Sequence, residues 1–581
     1  MSSSASPASP GALREALGAC RRHWAYACAF SAAINLLYLA PTIYMLQVYD
    51  RVVPSRGGVT LAFLTLLLLA SLATLALLEL VRSRLMVRAS TRLEAHLAAP
   101  ILKAAQDAAG AGGSGQAMRN FDALRQTLSG AGMLAIFDLP WTPIYVLLCF
   151  CLHPFLGGLA LLGTVVLAAL TLGNEHVIRP RLQAANLAAA QSYSAQAQSL
   201  AQSDVIRALG MGDAMVQWHR EGRATANLLQ QEASFAAGHF MTASKFMRLA
   251  LQSLSLGLAA YLVIEQKISA GAIFAASLLI ARALSPVDQV LGSWRSLAEA
   301  HSAYGELKAL LGAAHRPIPR TVLPAPSGAL RVEQLAVGRG PGLPPRLSNI
   351  GFELAPGEVL GLVGPSGAGK TTLLRALVGA LPADQGLVRL DGADIAAWDP
   401  ERLGRHIGYL PQDLALFPGT IKQNICRFQD RLSASEDIDT MAVAAAVAAG
   451  AHEMILNLPQ GYDTRIDWGG RGVSLGQAQR IALARAFFGD PKLVVLDEPN
   501  AHLDVEGEAA LLVAVTALKA KGAVVVVSAH RTGLIEAMDK VLVLVDGRMV
   551  QLGPKDAVFR VAEPRTPPSL IAQSPPAREV A

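Results

Sequence analysis

The feature that most constrains this chain is a series of long apolar stretches in its first half. Residues 59–78, VTLAFLTLLLLASLATLALL, contain no charged side chain, and about 20 such residues are enough for a helix to cross a bilayer. A buried core helix is the alternative for any single stretch, but a whole series favours membrane helices. We predict six transmembrane helices, at 24–46, 59–80, 133–152, 155–174, 247–265 and 270–290.

The amino-acid composition also indicates a protein embedded in the lipid bilayer. Hydrophobic residues make up 52% and charged residues 16% of the 581 residues, which is too apolar for an ordinary soluble enzyme. In a membrane protein a net charge of +6 orients the loops more often than it binds nucleic acid, so no nucleic-acid partner is expected. The five cysteines are irregularly spaced, so neither a disulfide framework nor a zinc site follows.

Basic residues concentrate in two of the segments between spans, and this predicts the orientation. The segment after the second span and the segment after the fourth are long and helix-prone, whereas the other connections are short and carry few basic residues. Because basic loops stay in the cytoplasm, we expect both segments and both termini there. We expect helices that continue out of the bilayer to tips near 108–118 and 205–215, where they could contact a soluble domain. The basic residues are Arg82, Arg84, Arg88, Arg92, Lys103, Arg119 and Arg125 in the first segment, and Arg179, Arg181, Arg207, Arg220, Arg223 and Lys245 in the second.

The chain changes character after a proline-rich stretch, PIPRTVLPAP. Beyond it, short Val- and Leu-rich runs such as EVLGLVG, LVVLDEP and AVVVVSAH alternate with helical stretches, a pattern typical of buried strands in an α/β domain. We therefore predict an N-terminal cytoplasmic segment at 1–22, a transmembrane domain at 23–315, a linker at 316–329, an α/β domain at 330–562 and a disordered tail at 563–581.

A glycine-rich stretch in the α/β domain indicates phosphate chemistry. EVLGLVGPSGAGKTTLLRALVG combines a strand, a loop and a helix start. The N–H groups of such a loop surround phosphate oxygens, and the helix dipole adds to the attraction. Lys370 would reach the β- and γ-phosphates and the Thr371 hydroxyl would bind Mg²⁺. This predicts an α/β P-loop NTPase domain with ATP and Mg²⁺ as cofactors. The proposed nucleotide-binding residues here are Gly364, Pro365, Ser366, Gly367, Ala368, Gly369, Lys370, Thr371 and Thr372.

Four further residues could complete a hydrolytic site. After the strand LVVLDEP, Asp497 is suited to hold Mg²⁺ and Glu498 to polarise the attacking water as a general base. His530 ends AVVVVSAH, at the end of a strand where ligands bind in open sheets. Position alone leaves a γ-phosphate contact and a structural role of His530 equally open. Gln412, in YLPQDLALFPGTIKQNI, could likewise ligate Mg²⁺ or cap a turn.

Taken in order, these motifs resemble the nucleotide-binding domain of ABC transporters over about 330–560. GVSLGQAQRIALARA, at 472–486, stands where that family has its signature. In the family two such domains pack head to tail, and each ATP lies between the phosphate loop of one copy and the signature of the other. The resemblance therefore implies a homodimer in which Ser474, Gly476 and Gln477 contact the ATP of the opposing copy. It also implies that Asp504, in PNAHLD, communicates across the dimer.

Two positions depart from the family pattern. Leu475 replaces a signature glycine; leucine fits there if its φ is negative and its side chain points away, so we expect a functional but slower clamp. Many relatives stack adenine on a tyrosine shortly before the phosphate loop, but LAVGRGPGLPPRLSNI has no aromatic residue. We expect apolar contacts or Arg339 to hold the base.

Two stretches in the membrane half, NLLYLAPTIYMLQVYDRVVPS at 35–55 and FDLPWTPIY at 137–145, resemble type I secretion ABC transporters of the PrtD type. That resemblance implies an inner-membrane exporter of unfolded proteins with a C-terminal signal. It also implies a periplasmic membrane-fusion adaptor and an outer-membrane channel as partners. The residues before the first span are too few for a peptidase domain, so we expect no leader processing.

Two other functions stay open from the residues alone. A lipid or drug exporter would need no adaptor, and an ATP-binding channel or regulator would have weak hydrolysis because of Leu475. The charged residues Asp138, Arg282 and Asp288, in or at the ends of spans, could line a polypeptide path or form structural pairs.

Overall fold

The computed structural model describes residues 12–108, 114–313, 323–338, 344–432, 436–467, 470, 472–528 and 532–561. The chain divides into two compact units, Met1–Arg316 and Pro317–Ala581, which we call the membrane unit and the ATP unit. Several sequence predictions fall wholly or partly outside the described residues: the tail at 563–581, residues 1–11 of the N-terminal segment, 316–322 of the linker, 109–113 of the tip near 108–118, Arg339 and His530.

The described part of the membrane unit is helical. Short helical turns of other types, Val48–Val52 and Leu139–Trp141, join some of its α-helices. The α-helices are α1 Ala12–Ala19, α2 Arg21–Leu37, α3 Ala40–Gln47, α4 Val53–Ser55, α5 Gly58–Ala108, α6 Ser114–Ser129, α7 Ala131–Asp138, α8 Thr142–Leu152, α9 Pro154–Ala201, α10 Ser203–Ala208, α11 Gly212–Ile264, α12 Gly271–Gly292 and α13 Trp294–Ala313.

Six segments in the described residues are long and apolar enough to cross a membrane, which confirms the predicted fold class of this half. They are Arg21–Ser55, Gly58–Asp107, Ala131–Leu152, Pro154–Ala201, Gly212–Ile264 and Gly271–Gly292. Helices α5, α9 and α11 contain 51, 48 and 53 residues, and a helix of that length extends about 75 Å. Because the hydrocarbon core is about 30 Å thick, these helices continue well beyond it, as the sequence predicted.

Local chemistry explains how these helices break and pack. The third span is interrupted by the turn Leu139–Trp141, where Pro140 cannot donate a helical hydrogen bond. Helices α9 and α11 pack closely because Gly163 has no side chain: a Cβ there would lie 2.5 Å from Leu251 Cδ1. Small residues at such crossings are what allow apolar helices to associate without a gap.

The charged residues of the spans have protein partners. Asp138 accepts hydrogen bonds from Arg82 Nη1 at 3.0 Å and Asn35 Nδ2 at 2.8 Å. The Arg282 guanidinium lies 3.6 Å from the centroid of the Tyr38 ring, and Asp288 accepts from Ser244 Oγ at 2.7 Å. These contacts favour the structural role that the sequence left open over an exposed place along a polypeptide path.

The described part of the ATP unit combines three sheets, of six, four and two strands, with surrounding helices. Its elements are β1 Leu330–Val337, β2 Leu347–Leu354, β3 Val359–Val363, α14 Lys370–Leu377, β4 Gln385–Leu390, β5 Ala393–Asp394, α15 Pro400–Leu403, β6 Ile407–Leu410, β7 Gly419–Thr420, α16 Ile421–Ile425, α17 Glu436–Ala448, α18 His452–Leu456, β8 Arg465–Ile466, α19 Leu475–Phe487, β9 Leu493–Asp497, α20 Val505–Ala520, β10 Val524–Ser528, β11 Lys540–Val545, β12 Arg548–Pro554 and α21 Lys555–Val561.

The larger sheet determines where the functional residues meet. Its strand order is β12-β11-β3-β10-β9-β6, and β11, β3, β10, β9 and β6 run parallel. The β9 and β10 strands are buried along their whole length, which explains their uninterrupted apolar sequences. Because parallel strands end at one edge, the residues that follow β3, β6 and β9 converge there. This architecture confirms the predicted α/β P-loop fold. The smaller four-stranded sheet, β2-β1-β4-β5, is antiparallel.

Candidate nucleotide-binding site

The phosphate loop connects the end of β3 to the start of α14. At Gly364 the chain approaches its neighbour so closely that a Cβ would lie 2.1 Å from the Leu544 carbonyl oxygen, so only glycine fits. Lys370 begins α14 and its Nζ donates to the carbonyl oxygens of Gly364 at 2.7 Å and Pro365 at 3.0 Å. The ammonium group is therefore held inside the loop, where phosphate oxygens would meet it.

The charge of Lys370 depends on opposing effects. Burial lowers the pKa of its ammonium group, while the nearby carboxylates of Glu498 and Asp497 act in the opposite direction. The side chain is 7% exposed, so a bound anion would take the place of water as the partner of this cation.

A cavity of about 240 Å³ lies above the loop. It brings together residues that are far apart in sequence, including the loop, Gln412 and Glu498. The Thr371 hydroxyl donates to Gln412 Oε1 at 3.4 Å, so two of the proposed Mg²⁺ ligands are neighbours. The residues lining the cavity are Arg346, Ser366, Gly367, Gly369, Lys370, Thr371, Thr372, Gln412 and Glu498.

Asp497 and Glu498 lie at the carboxyl end of β9. Asp497 is 2% exposed, and its Oδ1 accepts a hydrogen bond from Ser528 Oγ at 2.7 Å. Its Oδ2 is buried and has no hydrogen-bond partner among the described residues. A buried carboxylate oxygen needs a compensating partner, and a hard cation such as Mg²⁺ prefers oxygen ligands, so this residue fits the metal that the fold implies.

Glu498 has a backbone conformation that side chains seldom adopt. Its φ is +49°, in the left-handed region that costs a non-glycine residue on the order of 1 kcal/mol. Its backbone N–H donates to Ser528 Oγ at 2.8 Å, which helps to hold this conformation. This backbone conformation turns the chain sharply after β9, and Glu498 lies in the cavity lining.

The signature residues lie at the start of α19. Ser474 is the N-cap: its hydroxyl accepts from the Gln477 N–H at 3.3 Å, and the Gln477 Oε1 accepts from the Ser474 N–H at 2.9 Å. This reciprocal capping box explains why Ser and Gln occur three positions apart. Gly476 lies in the first turn, and Leu475 beside it is 64% exposed with no positive φ. The bulky residue is thus accommodated without backbone strain.

None of Ser474, Gly476 and Gln477 lines the described cavity over the phosphate loop. Asp504 also lies at a helix start: it caps α20 through the Gly507 N–H at 2.8 Å and pairs with Arg480 Nη2 at 2.5 Å. Asp504 therefore has partners within its own copy, and its contact with a second copy stays a prediction.

Sequence reasoning missed two residues of this site. Ser528 contacts both Asp497 and Glu498, but its role depends on the pairing of β9 with β10, which no local pattern shows. Arg346 lines the cavity although it stands well before the phosphate loop. The polar residue that ends the run VVVVS was the one available signal for Ser528.

Comparisons with known proteins agree with this geometry. A model of the ABC transporter family matches residues 347–501. The type I secretion system ATP-binding protein PrsD of Rhizobium meliloti is 43% identical, over 94% of this chain and 93% of that protein. The cyclolysin secretion/processing protein CyaB of Bordetella pertussis is 27% identical, over 91% of this chain and 75% of that protein.

Similarity extends to a solved structure, a bacterial Atm1-family ABC exporter with ATP bound. Its TM-score is 0.81 at 22% sequence identity, and the match covers 93% of this chain and 96% of that one. The fold is therefore that of an ABC exporter, and the relatives favour protein secretion over the lipid or drug exporter that the sequence left open. The chain is a membrane protein that belongs to the ABC transporter family, as an ATP-hydrolysing transporter of its type I secretion branch.

Proposed function

We propose that this protein is the inner-membrane ATPase subunit of a type I secretion system, with its ATP unit in the cytoplasm. Its substrate is an unfolded protein with a C-terminal signal. The observation that carries the proposal is the 43% identity to a type I secretion protein along nearly the whole chain, together with a cavity that joins the phosphate loop to Glu498.

The residues in and near the cavity have separate roles in hydrolysis. The loop N–H groups and Lys370 bind the phosphates, and Glu498 accepts a proton from the attacking water. We further propose that His530, which lies outside the described residues, hydrogen-bonds the γ-phosphate. When bound, Mg²⁺ neutralises charge on the phosphates, and Thr371, Gln412 and Asp497 supply oxygens to hold it, directly or through water.

A second copy completes each site. The Ser474 region lies outside the cavity lining of its own copy, and its helix start carries N–H groups that attract anions. In the proposed homodimer, this helix start closes over the ATP of the partner, with twelve spans and two sites in total. Leu475 lies beside the contact and slows closure, and Asp504 communicates across the dimer.

Cross-linking tests the dimer. In a full-length Glu498→Gln background without native cysteines, we expect Ser474→Cys on one copy to cross-link with Ser366→Cys on the other when Mg²⁺ and ATP are present. The single-cysteine variants are the controls. If no cross-linked dimer forms with ATP, the head-to-tail arrangement is wrong.

Secretion in the native host tests the function. A chromosomal Glu498→Gln change should remove one or a few proteins from the culture medium while the transporter remains in the membrane. Deleting the C-terminal segment of such a protein should also prevent its export, and a periplasmic adaptor and an outer-membrane channel should co-purify with the transporter. An unchanged medium together with altered lipid or drug export would contradict the proposal.

A further inference from the structure

Among the described residues, the hydroxyl of Ser528 makes two hydrogen bonds at the edge of the sheet, and both go to the proposed hydrolytic residues. Ser528 ends β10, is fully buried and pairs with Asp497 in the neighbouring strand. Its Oγ donates to Asp497 Oδ1 at 2.7 Å and accepts from the Glu498 N–H at 2.8 Å. A single hydroxyl thus bonds Asp497, the last residue of β9, and Glu498, the first residue of the turn that follows.

The first bond determines how the Asp497 carboxylate is oriented. Its Oδ1 is occupied by the serine proton, so the carboxylate cannot rotate without losing that bond. Its Oδ2 has no partner among the described residues. The serine therefore selects which of the two oxygens remains open.

The second bond acts on the backbone of Glu498. The residue has a φ of +49°, and an unfavourable conformation persists only where its surroundings enforce it. The Ser528 oxygen holds the N–H of this residue, so it fixes the direction in which the Glu498 side chain leaves the strand.

Packing alone does not require a hydroxyl at this position. The four preceding residues of β10 are valines and all are buried, and another small apolar residue would continue the core. An apolar side chain would, however, leave both Asp497 Oδ1 and the Glu498 N–H without this partner, and unpaired buried polar groups are costly.

We propose that Ser528 is a positioning residue for ATP hydrolysis, which orients the Asp497 carboxylate for the divalent metal and the Glu498 backbone for catalysis. This inference rests on the proposed role of Asp497. Groups that hydrogen-bond a metal ligand typically change metal affinity or activity by about 10- to 100-fold when they are removed.

The test compares four full-length variants in lipid nanodiscs: Ser528→Ala, Ser528→Thr, Val526→Ala and Asp497→Asn. Val526 is the matched control, because it is buried two residues earlier in β10 and on the same face of the sheet. Two quantities are measured: the Mg²⁺ concentration for half-maximal ATPase activity, and the affinity for a fluorescent ATP analogue with Mg²⁺ and with EDTA.

We expect Ser528→Ala to raise the Mg²⁺ requirement about 10-fold and to weaken nucleotide binding only when Mg²⁺ is present. Ser528→Thr, which keeps the hydroxyl, should stay near wild type, and Val526→Ala should leave the Mg²⁺ requirement unchanged. If Ser528→Ala resembles Val526→Ala while Asp497→Asn loses Mg²⁺ dependence, Ser528 is a core residue only and the inference is wrong. If Asp497→Asn itself keeps the wild-type Mg²⁺ dependence, the proposed metal role fails instead.

Discussion

Two carboxylates, one partly buried in the membrane unit and one buried in the ATP unit, have opposite surroundings. Asp138, in the membrane unit, accepts from Arg82 Nη1 through both oxygens, at 3.0 and 3.2 Å, and also from Asn35. Asp497, in the ATP unit, has one oxygen bonded to Ser528 and the other without a described partner. Removing either carboxylate from water is costly, but among the described residues only Asp138 has partners for both of its oxygens.

The difference separates a structural charge from a functional one. The Arg82–Asp138 pair joins α5 to the end of α7, and other side chains of the unit also bond it: Asn35 Nδ2 donates to Asp138, and Arg82 Nη1 donates to Ser31 Oγ. Asp497 keeps capacity for a group that the described residues do not supply. A buried carboxylate thus indicates a site when its partners are incomplete, and its sequence neighbourhood alone does not decide this.

The largest expected effect is the loss of ATP hydrolysis when Glu498, the neighbour of Asp497, is changed. Glu498→Gln keeps the shape of the cavity but removes the base, so hydrolysis should fall on the order of 1,000-fold. Nucleotide affinity should change little. Steady-state ATPase assays and equilibrium binding measure the two quantities. Hydrolysis near the wild-type rate would show that the base lies elsewhere.

Breaking the complete pair should affect stability instead. Asp138→Ala leaves Arg82 buried without its counterion, and such a loss costs about 3 kcal/mol or more. The thermal unfolding temperature in detergent should fall clearly. The double variant Arg82→Met, Asp138→Leu should recover most of the loss, because a buried pair can be replaced by apolar residues. Equal stability of wild type and Asp138→Ala would contradict the assigned structural role.

A third variant tests whether Arg346 contacts the bound nucleotide. Arg346 lines the cavity, and its guanidinium is a donor for nucleotide oxygens or the base. Arg346→Ala should raise the KM for ATP about 10-fold, the equivalent of one charged hydrogen bond, with little change in kcat. Arg331, which pairs with Glu333 and does not line the described cavity, is the control. An unchanged KM would place Arg346 outside the site.

The smallest expected effect is on the pH dependence of stability, and it concerns Asp391, a carboxylate of the ATP unit whose two oxygens both accept hydrogen bonds. Burial alone would raise the pKa of Asp391, but hydrogen bonds from Ser327, Ala329 and Gly328 outweigh it and hold the pKa below its ordinary value. A lowered pKa stabilises the fold above the ordinary value, and the contribution is lost as pH falls through the lowered one. Asp391→Asn should therefore weaken the acid dependence of unfolding slightly, with no change in Mg²⁺ dependence. An altered Mg²⁺ requirement would show that Asp391, although its oxygens have partners, also contributes to the metal site.

The features predictable from sequence were those with local causes. The apolar stretches indicated the membrane-spanning helices, and the glycine-rich loop indicated the strand before it and the helix after it. Pro140 accounts for the break in the third span. The partner of Asp138 could not be predicted, because Arg82 lies 56 residues away. Ser528 was missed for the same reason, since strand order and not sequence distance brings it to Asp497.

The most direct test of the central claim is the binding of Mn²⁺, as a substitute for Mg²⁺, measured by electron paramagnetic resonance on the full-length protein with ATP. Wild type and Asp138→Asn should bind Mn²⁺ with similar affinity, although Asp138→Asn should unfold at a lower temperature. Asp497→Asn should bind the metal at least about 10-fold more weakly. Equal Mn²⁺ affinity in Asp497→Asn and wild type would contradict the claim that the open carboxylate oxygen marks the site.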